Sequence, residues 1–143
     1  MPINSLYVDT NIFIYLLERH EPYSSLVADT LEEYTKAGNI LLTSTISITE
    51  FLAGTLSSNL AMLQRIPRLE FVTLNETIAE AAALLQRETR LHIGDSMHLA
   101  TALQLHSEYF FTNDKDLAKV AKTYLPVKSL QVPYIVSSKH DTM

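Results

Sequence analysis

Four carboxylates stand beside segments that read as strand ends or helix starts. They are Asp9 in Leu6-Tyr7-Val8-Asp9-Thr10-Asn11, Glu50 in Ile48-Thr49-Glu50-Phe51, Asp95 in Ile93-Gly94-Asp95-Ser96, and Asp114 in Phe111-Thr112-Asn113-Asp114. A parallel α/β sheet can gather such junctions at one edge, where ionised acids repel one another unless a divalent cation neutralises them. At separations of several Å that repulsion is about 1–4 kcal/mol per pair, between water-like and surface dielectrics. The chain has no Cys, which leaves no thiolate site, and a site built from Asp and Glu oxygens favours Mg²⁺ or Mn²⁺ over Zn²⁺.

Each acid also has an ordinary structural use. Asp9, Asp95 and Asp114 each precede a helical segment, and Asp is a favoured N-cap. Ser47 followed three residues later by Glu50 matches a capping box. Helix starts favour anions, so the four stay ionised in either use. The sequence leaves both readings open; what separates them is whether the fold makes the four converge.

The elements that would position these acids follow from periodicity. Leu6-Tyr7-Val8 reads as a short apolar strand, with Asp9 at a tight turn into a helix over Ile12 to Glu18. Residues 23–37 carry Leu26, Val27, Leu31 and Tyr34 at helical spacing, closed by Gly38. Ile40-Leu41-Leu42 is a buried strand, a helix runs from Ser47 toward Gly54, and another spans Asn59 to Arg65. Leu69 to Thr73 alternates like a half-exposed strand, and Asn75 to Arg90 is an Ala-rich helix. A helix from about Asp95 to His106, a strand at Tyr109 to Thr112, a helix at Lys115 to Tyr124 and a last strand at Val127 to Leu130 complete the pattern. Alternating strands and helices predict an α/β/α sandwich around a parallel sheet.

With 143 residues, 47% of them hydrophobic, the chain suits one domain, expected over 1–136, with Ser-Ser-Lys-His-Asp-Thr-Met at 137–143 as a disordered tail. No stretch approaches the ~18 consecutive apolar residues of a membrane span, and no basic-then-apolar leader opens the chain. Lack of Cys fits a cytoplasmic protein. The net charge of −5 argues against a nucleic-acid partner taken alone. Its distribution softens that objection: residues 1–58 hold seven acids against Arg19 and Lys36, whereas residues 59–143 balance at nine and nine. Bound divalent ions would offset the acidic part, and Arg65, Arg68, Arg87, Arg90, Lys115, Lys119 and Lys122 could flank it.

In order and spacing, Val8-Asp9-Thr10-Asn11-Ile12-Phe13, Thr49-Glu50-Phe51, Gly94-Asp95-Ser96-Met97-His98-Leu99-Ala100-Thr101-Ala102 and Phe111-Thr112-Asn113-Asp114 resemble the PIN-domain ribonucleases. They are most similar to the VapC-like toxins of bacterial toxin–antitoxin pairs. The resemblance spans about residues 6–130. It implies a Rossmann-like sandwich, a Mg²⁺- or Mn²⁺-dependent endonuclease acting on RNA, an antitoxin protein partner and a homodimer. By position it makes Asp9, Glu50, Asp95 and Asp114 the acidic quartet, with Asn11 and Thr112 as polar supports and Asp116 as a rival to Asp114. Ser96 and His98 depart from the small or apolar residues frequent after the third acid.

Other readings compete. An Asp after the first strand and a later Gly-Asp-Ser also occur in aspartate-nucleophile phosphatases, but Asn11 stands where a second catalytic Asp is wanted, and Leu99 where an acid should follow. A non-catalytic module of the same fold, binding RNA or protein, needs no turnover from the quartet. His92, Asp95 and His98 are spaced for a transition metal, yet Gly94 is expected to interrupt the helix between them, leaving His98 as a helix residue with a local hydrogen bond.

Overall fold

Alternation along the strands sets the architecture. In β1 (Ser5–Val8), Leu6 and Val8 face one side of the sheet and Tyr7 the other; Leu41 and Leu42 divide in the same way in β2 (Ile40–Ser44), as do Phe111 and Phe110 in β4 (Tyr109–Phe111). Both faces are therefore apolar, and each needs a layer of helices. The computed structural model describes residues 4–54 and 58–130. In it β3 (Leu69–Val72) and β5 (Val127–Lys128) complete a five-stranded sheet in the order β3-β2-β1-β4-β5, with every pairing parallel.

Helices α1 (Thr10–Leu17), α2 (Tyr23–Lys36), α3 (Ile46–Gly54) and α4 (Leu60–Gln64) cover one face, burying Ile12, Phe13, Val27, Leu31, Phe51 and Leu63 against Leu6, Val8 and Phe111. On the other face, α5 (Glu76–Thr89), α6 (Ile93–Gln104) and α7 (Lys115–Ala121) bury Ile78, Leu85, Leu99 and Leu117 against Tyr7, Leu42 and Phe110. The expected three-layer α/β/α sandwich is what the chain forms. The expected tail at 137–143 lies outside the described residues.

Several boundaries differ from the sequence reading, each for a local reason. The first helix starts at Thr10, two residues early, because Asp9 Oδ1 accepts the Thr10 N–H at 2.8 Å. Helix α3 begins at Ile46, whose N–H donates to Ser44 Oγ at 3.1 Å. Ser47 thus lies inside the helix, hydrogen bonded to Thr43 at 2.6 Å, and the expected capping box gives way to that contact. Gly94 does not break α6, which starts at Ile93 with His92 as its N-cap residue. Gly38 follows α2 at φ +94°, where a side chain would be strained.

Strand order places the site. The chain steps from β1 outward to β3 and then returns to β4 on the other flank of β1, so the topological switch lies between β1 and β4. Ligands in open α/β sheets bind beyond the strand C-termini at such a point. Val8 pairs with Phe111 there, which sets Asp9 and Thr112 side by side just past the ladder.

The central pair of strands should dominate stability. Phe110 is fully buried and stacks on Tyr7 with ring centroids 5.4 Å apart. Phe110→Ala is expected to lower the unfolding free energy by about 3–5 kcal/mol, read from urea denaturation of the metal-free protein.

Candidate active site

Asp9 is the most buried of the four acids, at 5% exposure. Its position is fixed from two sides: Oδ1 accepts the Thr10 N–H, and Oδ2 accepts the Thr112 hydroxyl at 2.7 Å. Its own N–H donates to Phe111 O at 3.0 Å, tying the turn to β4. Burial pushes the Asp9 carboxyl up, against the opposing pull of His98 and the hydrogen bonds from Thr112 and Thr10.

Asp95 stands in the first turn of α6. Its carboxyl is pushed up to about 6, first by burial and then by the charges of Asp9 and Asp114. Those two contributions place Asp9, Asp95 and Asp114 within one electrostatic field. Asp114 is also the N-cap of α7: its Oδ1 accepts the N–H groups of Asp116 and Leu117 at 3.0 and 3.1 Å, while Oδ2 takes part in neither bond. For Asp114 the helix-cap reading therefore holds together with membership of the cluster. Asp116 is exposed in the first turn of α7.

Glu50 projects from the middle of α3 with its side chain 41% exposed, and turns toward His98. Its Oε1 accepts from His98 Nε2 at 2.8 Å and from the Thr10 hydroxyl at 2.6 Å. Burial, the largest single influence, raises the Glu50 carboxyl; the bonds from His98 and Thr10 and the charge of His98 together bring it below its ordinary range. His98 is 1% exposed, and its Nε2 also lies 3.6 Å from Asp9 Oδ1. Its basicity is raised because Glu50, Asp9 and Asp95 outweigh burial, the largest influence, which lowers it.

The four acids therefore divide. Asp95 is raised by the charges of Asp9 and Asp114 and Asp9 by that of Glu50, and among the four only Glu50 is hydrogen bonded to His98 and the Thr10 hydroxyl. Among the described residues, no three His, Asp or Glu side chains are already grouped to hold a metal ion. Donor chemistry still fits a hard cation: the acids bring only oxygen, their mutual repulsion is what a cation relieves, and Asn11 Oδ1 is a buried acceptor without a partner two residues past Asp9. Thr112 supports Asp9 directly, as the resemblance implies. The His92, Asp95, His98 grouping does not assemble, since His92 is exposed and His98 is buried against Tyr7 and Glu50.

His98 and Thr10 are what the sequence reading missed. The available signal was spacing: with Gly94 inside α6, Asp95 and His98 are three apart on one helical face. A polar residue on that face, between the third acid and the sheet, has only other polar groups of the site as partners.

The PIN domain profile matches residues 6–123, and the chain belongs to that family. No curated protein matches the sequence. Among solved structures the chain is similar to VapBC2 from Rickettsia felis, bound to a DNA fragment from its promoter (18% identity, TM-score 0.71, covering 89% of this chain and 99% of that one). It is also similar to a toxin–antitoxin complex from Klebsiella pneumoniae (24%, TM-score 0.65, 80% and 92%). A third is Mycobacterium tuberculosis VapC20, described as a sarcin-ricin loop cleaving toxin (15%, TM-score 0.59, 80% and 94%). At these identities the likeness is one of fold.

The raised Asp95 carboxyl makes a pH-dependent contribution of known sign. An unfolded Asp titrates near 3.9, so the folded chain takes up this proton first as pH falls. Asp95 thus opposes folding above about pH 6, and the penalty fades as pH drops toward about 4. Asp95→Asn is expected to be more stable than wild type at pH 7, with the difference shrinking toward pH 4, in thermal unfolding with chelator present.

Proposed function

We propose that the chain is a Mg²⁺- or Mn²⁺-dependent endoribonuclease acting as the toxin of a toxin–antitoxin pair. The observation that carries the reading is the shared field of Asp9, Asp95 and Asp114 at the switch point of the sheet, expressed in the raised Asp95 carboxyl. These three would hold the ion, with Glu50 as the fourth acid of the site. Asp114, whose charge bears on Asp95, is preferred over the exposed Asp116. A divalent ion bound there supplies Lewis-acid polarisation and a water of lowered pKa. The chain's own residues fix the ligands: Thr112 and the Thr10 amide hold Asp9, and the α7 cap bonds hold Asp114. Glu50, half-exposed beside the cluster, is placed to orient a substrate or a water.

RNA as substrate and an antitoxin as partner are supported by the PIN family and by the solved relatives, two of which are toxin–antitoxin assemblies and one an RNA-cleaving toxin. The surface best suited to a partner is an apolar groove of about 700 Å³ between α1, α2 and α4, lined by Leu16, Leu17, Leu31, Met62 and Ile66. Arg19, Arg65 and Glu32 also line it, which suits an amphipathic helix whose polar flanks pair with both signs of charge. Such a partner, presented as a synthetic amphipathic helix and followed by fluorescence anisotropy, should bind the wild type and be lost on Leu17→Glu. A homodimer and a cytoplasmic location complete the reading; no helix of the described residues is long and apolar enough to cross a membrane.

The first test is Mn²⁺ titration of the wild type and Asp9→Asn, followed by calorimetry. Wild type is expected to bind, and Asp9→Asn to bind more than about tenfold more weakly, since even the outer partners of a metal site contribute that much. Saturable binding should accompany cleavage of RNA that stops with chelator or Asp95→Asn. Absence of binding in both proteins at millimolar metal would instead favour a non-catalytic PIN module, with Asp9 and Asp114 serving as helix caps.

A further inference from the structure

Glu50 occupies a built seat. Both donors converge on Oε1: His98 Nε2 at 2.8 Å and the Thr10 hydroxyl at 2.6 Å. The other oxygen, Oε2, lies against Gly94, where an added Cβ would come within 2.9 Å of it. His98 is itself held from behind, with Nδ1 2.6 Å from the Tyr7 hydroxyl and that hydroxyl accepting the Ser44 N–H at 3.0 Å. Tyr7 is fully buried in the central strand, so the imidazole is anchored to the core of the sheet. A carboxylate can only accept, hence Nε2 carries a proton toward Glu50 whether the ring is neutral or charged.

We propose that His98 is a positioning residue that seats Glu50 beside the cation site rather than on it, with Gly94 supplying the room for the seat. The inference rests on the metal reading of Asp9, Asp95 and Asp114 and goes further by assigning Glu50 and His98 distinct parts. The two donors on Oε1 and the close approach of Oε2 to Gly94 hold the carboxylate in one place beside Asp9, whose Oδ1 lies 3.6 Å from the same Nε2, without turning it onto the ion. Glycine near the start of α6 lacks the helical preference of alanine, but here a methyl group would displace the end of the Glu50 side chain. Because that end is flexible, Gly94→Ala unseats Glu50 without opening the core.

The test uses the full chain, first metal-free with nitrogen-labelled histidine and then with Mn²⁺ alone as probe. In the nitrogen–proton spectrum, His98 is expected to show a protonated Nε2 whose resonance shifts in Glu50→Gln and in Gly94→Ala. His98→Gln, which keeps an N–H near the Nε2 position, is expected to bind Mn²⁺ within about threefold of wild type. His98→Leu, which frees Glu50 to reach the ion, is expected to bind about tenfold more tightly, a gain of about 1.4 kcal/mol from one added carboxylate ligand, and the gain to be absent from His98→Leu/Glu50→Gln. An Nε2 resonance unmoved by Glu50→Gln overturns the seat. Wild-type affinity in a folded His98→Leu overturns the steering of Glu50 away from the ion. Should His98→Leu not fold, Gly94→Ala takes its place, and a tightening that Glu50→Gln does not abolish counts against the proposal. No Mn²⁺ binding by any variant overturns the metal reading and the steering with it, while the spectrum alone still decides the seat.

Discussion

A carboxylate buried at the end of the central strand is the constraint around which this molecule is arranged. Asp9 lies at the junction of β1 and α1 with little access to water, and an ion so placed needs compensation from the protein. The chain provides it from three separate places: the first amide of α1, the hydroxyl that follows β4, and an imidazole on α6. The amide is local, whereas the hydroxyl depends on the parallel register of β1 with β4 and the imidazole on the packing of α6 against the sheet. Around it, the charges of Asp9 and Asp114 both bear on Asp95, and that of Glu50 bears on Asp9.

That repulsion gives the site its chemical character. Burial first, and then the charges of Asp9 and Asp114, raise the Asp95 carboxyl, and a cation would relieve the second of these. His98 opposes that repulsion, its charge pulling down the carboxyls of Asp9, Glu50 and Asp95. Its ring links Tyr7 in the core to Glu50 at the rim, so a polar chain runs from the Ser44 amide through Tyr7 and His98 to a half-exposed carboxylate. Polar networks of this kind impose one geometry because each member's partner is taken, and a substitution at any link leaves a buried group unsatisfied.

The acidic balance of the chain bears on how a polyanion could approach. All of the net negative charge resides in residues 1–58, which supply β1, β2 and α1 to α3, while residues 59–143 balance at nine acids and nine bases. The apolar groove is lined mostly by that acidic part of the chain, with two arginines among its lining residues.

The sequence by itself determined the three-layer fold, because alternation in Leu6-Tyr7-Val8 and Leu41-Leu42 leaves both sheet faces apolar and the helical periods between strands leave only parallel pairing. It also singled out the four acids, since carboxylates at element junctions are visible in local pattern alone. What it left open was their grouping, and the tertiary structure decided that: Asp114 is both cap and member of the cluster, while Glu50 turns aside to His98. It mistook Gly94 for a helix break, because glycine's weak helical preference is a local signal and the close approach of Glu50 Oε2 that requires it is not. His98 looked like an ordinary helix residue for the same reason. Its partners, Tyr7, Thr10 and Glu50, lie 91, 88 and 48 residues away along the chain, and only the packing of α6 against the sheet brings them to one ring.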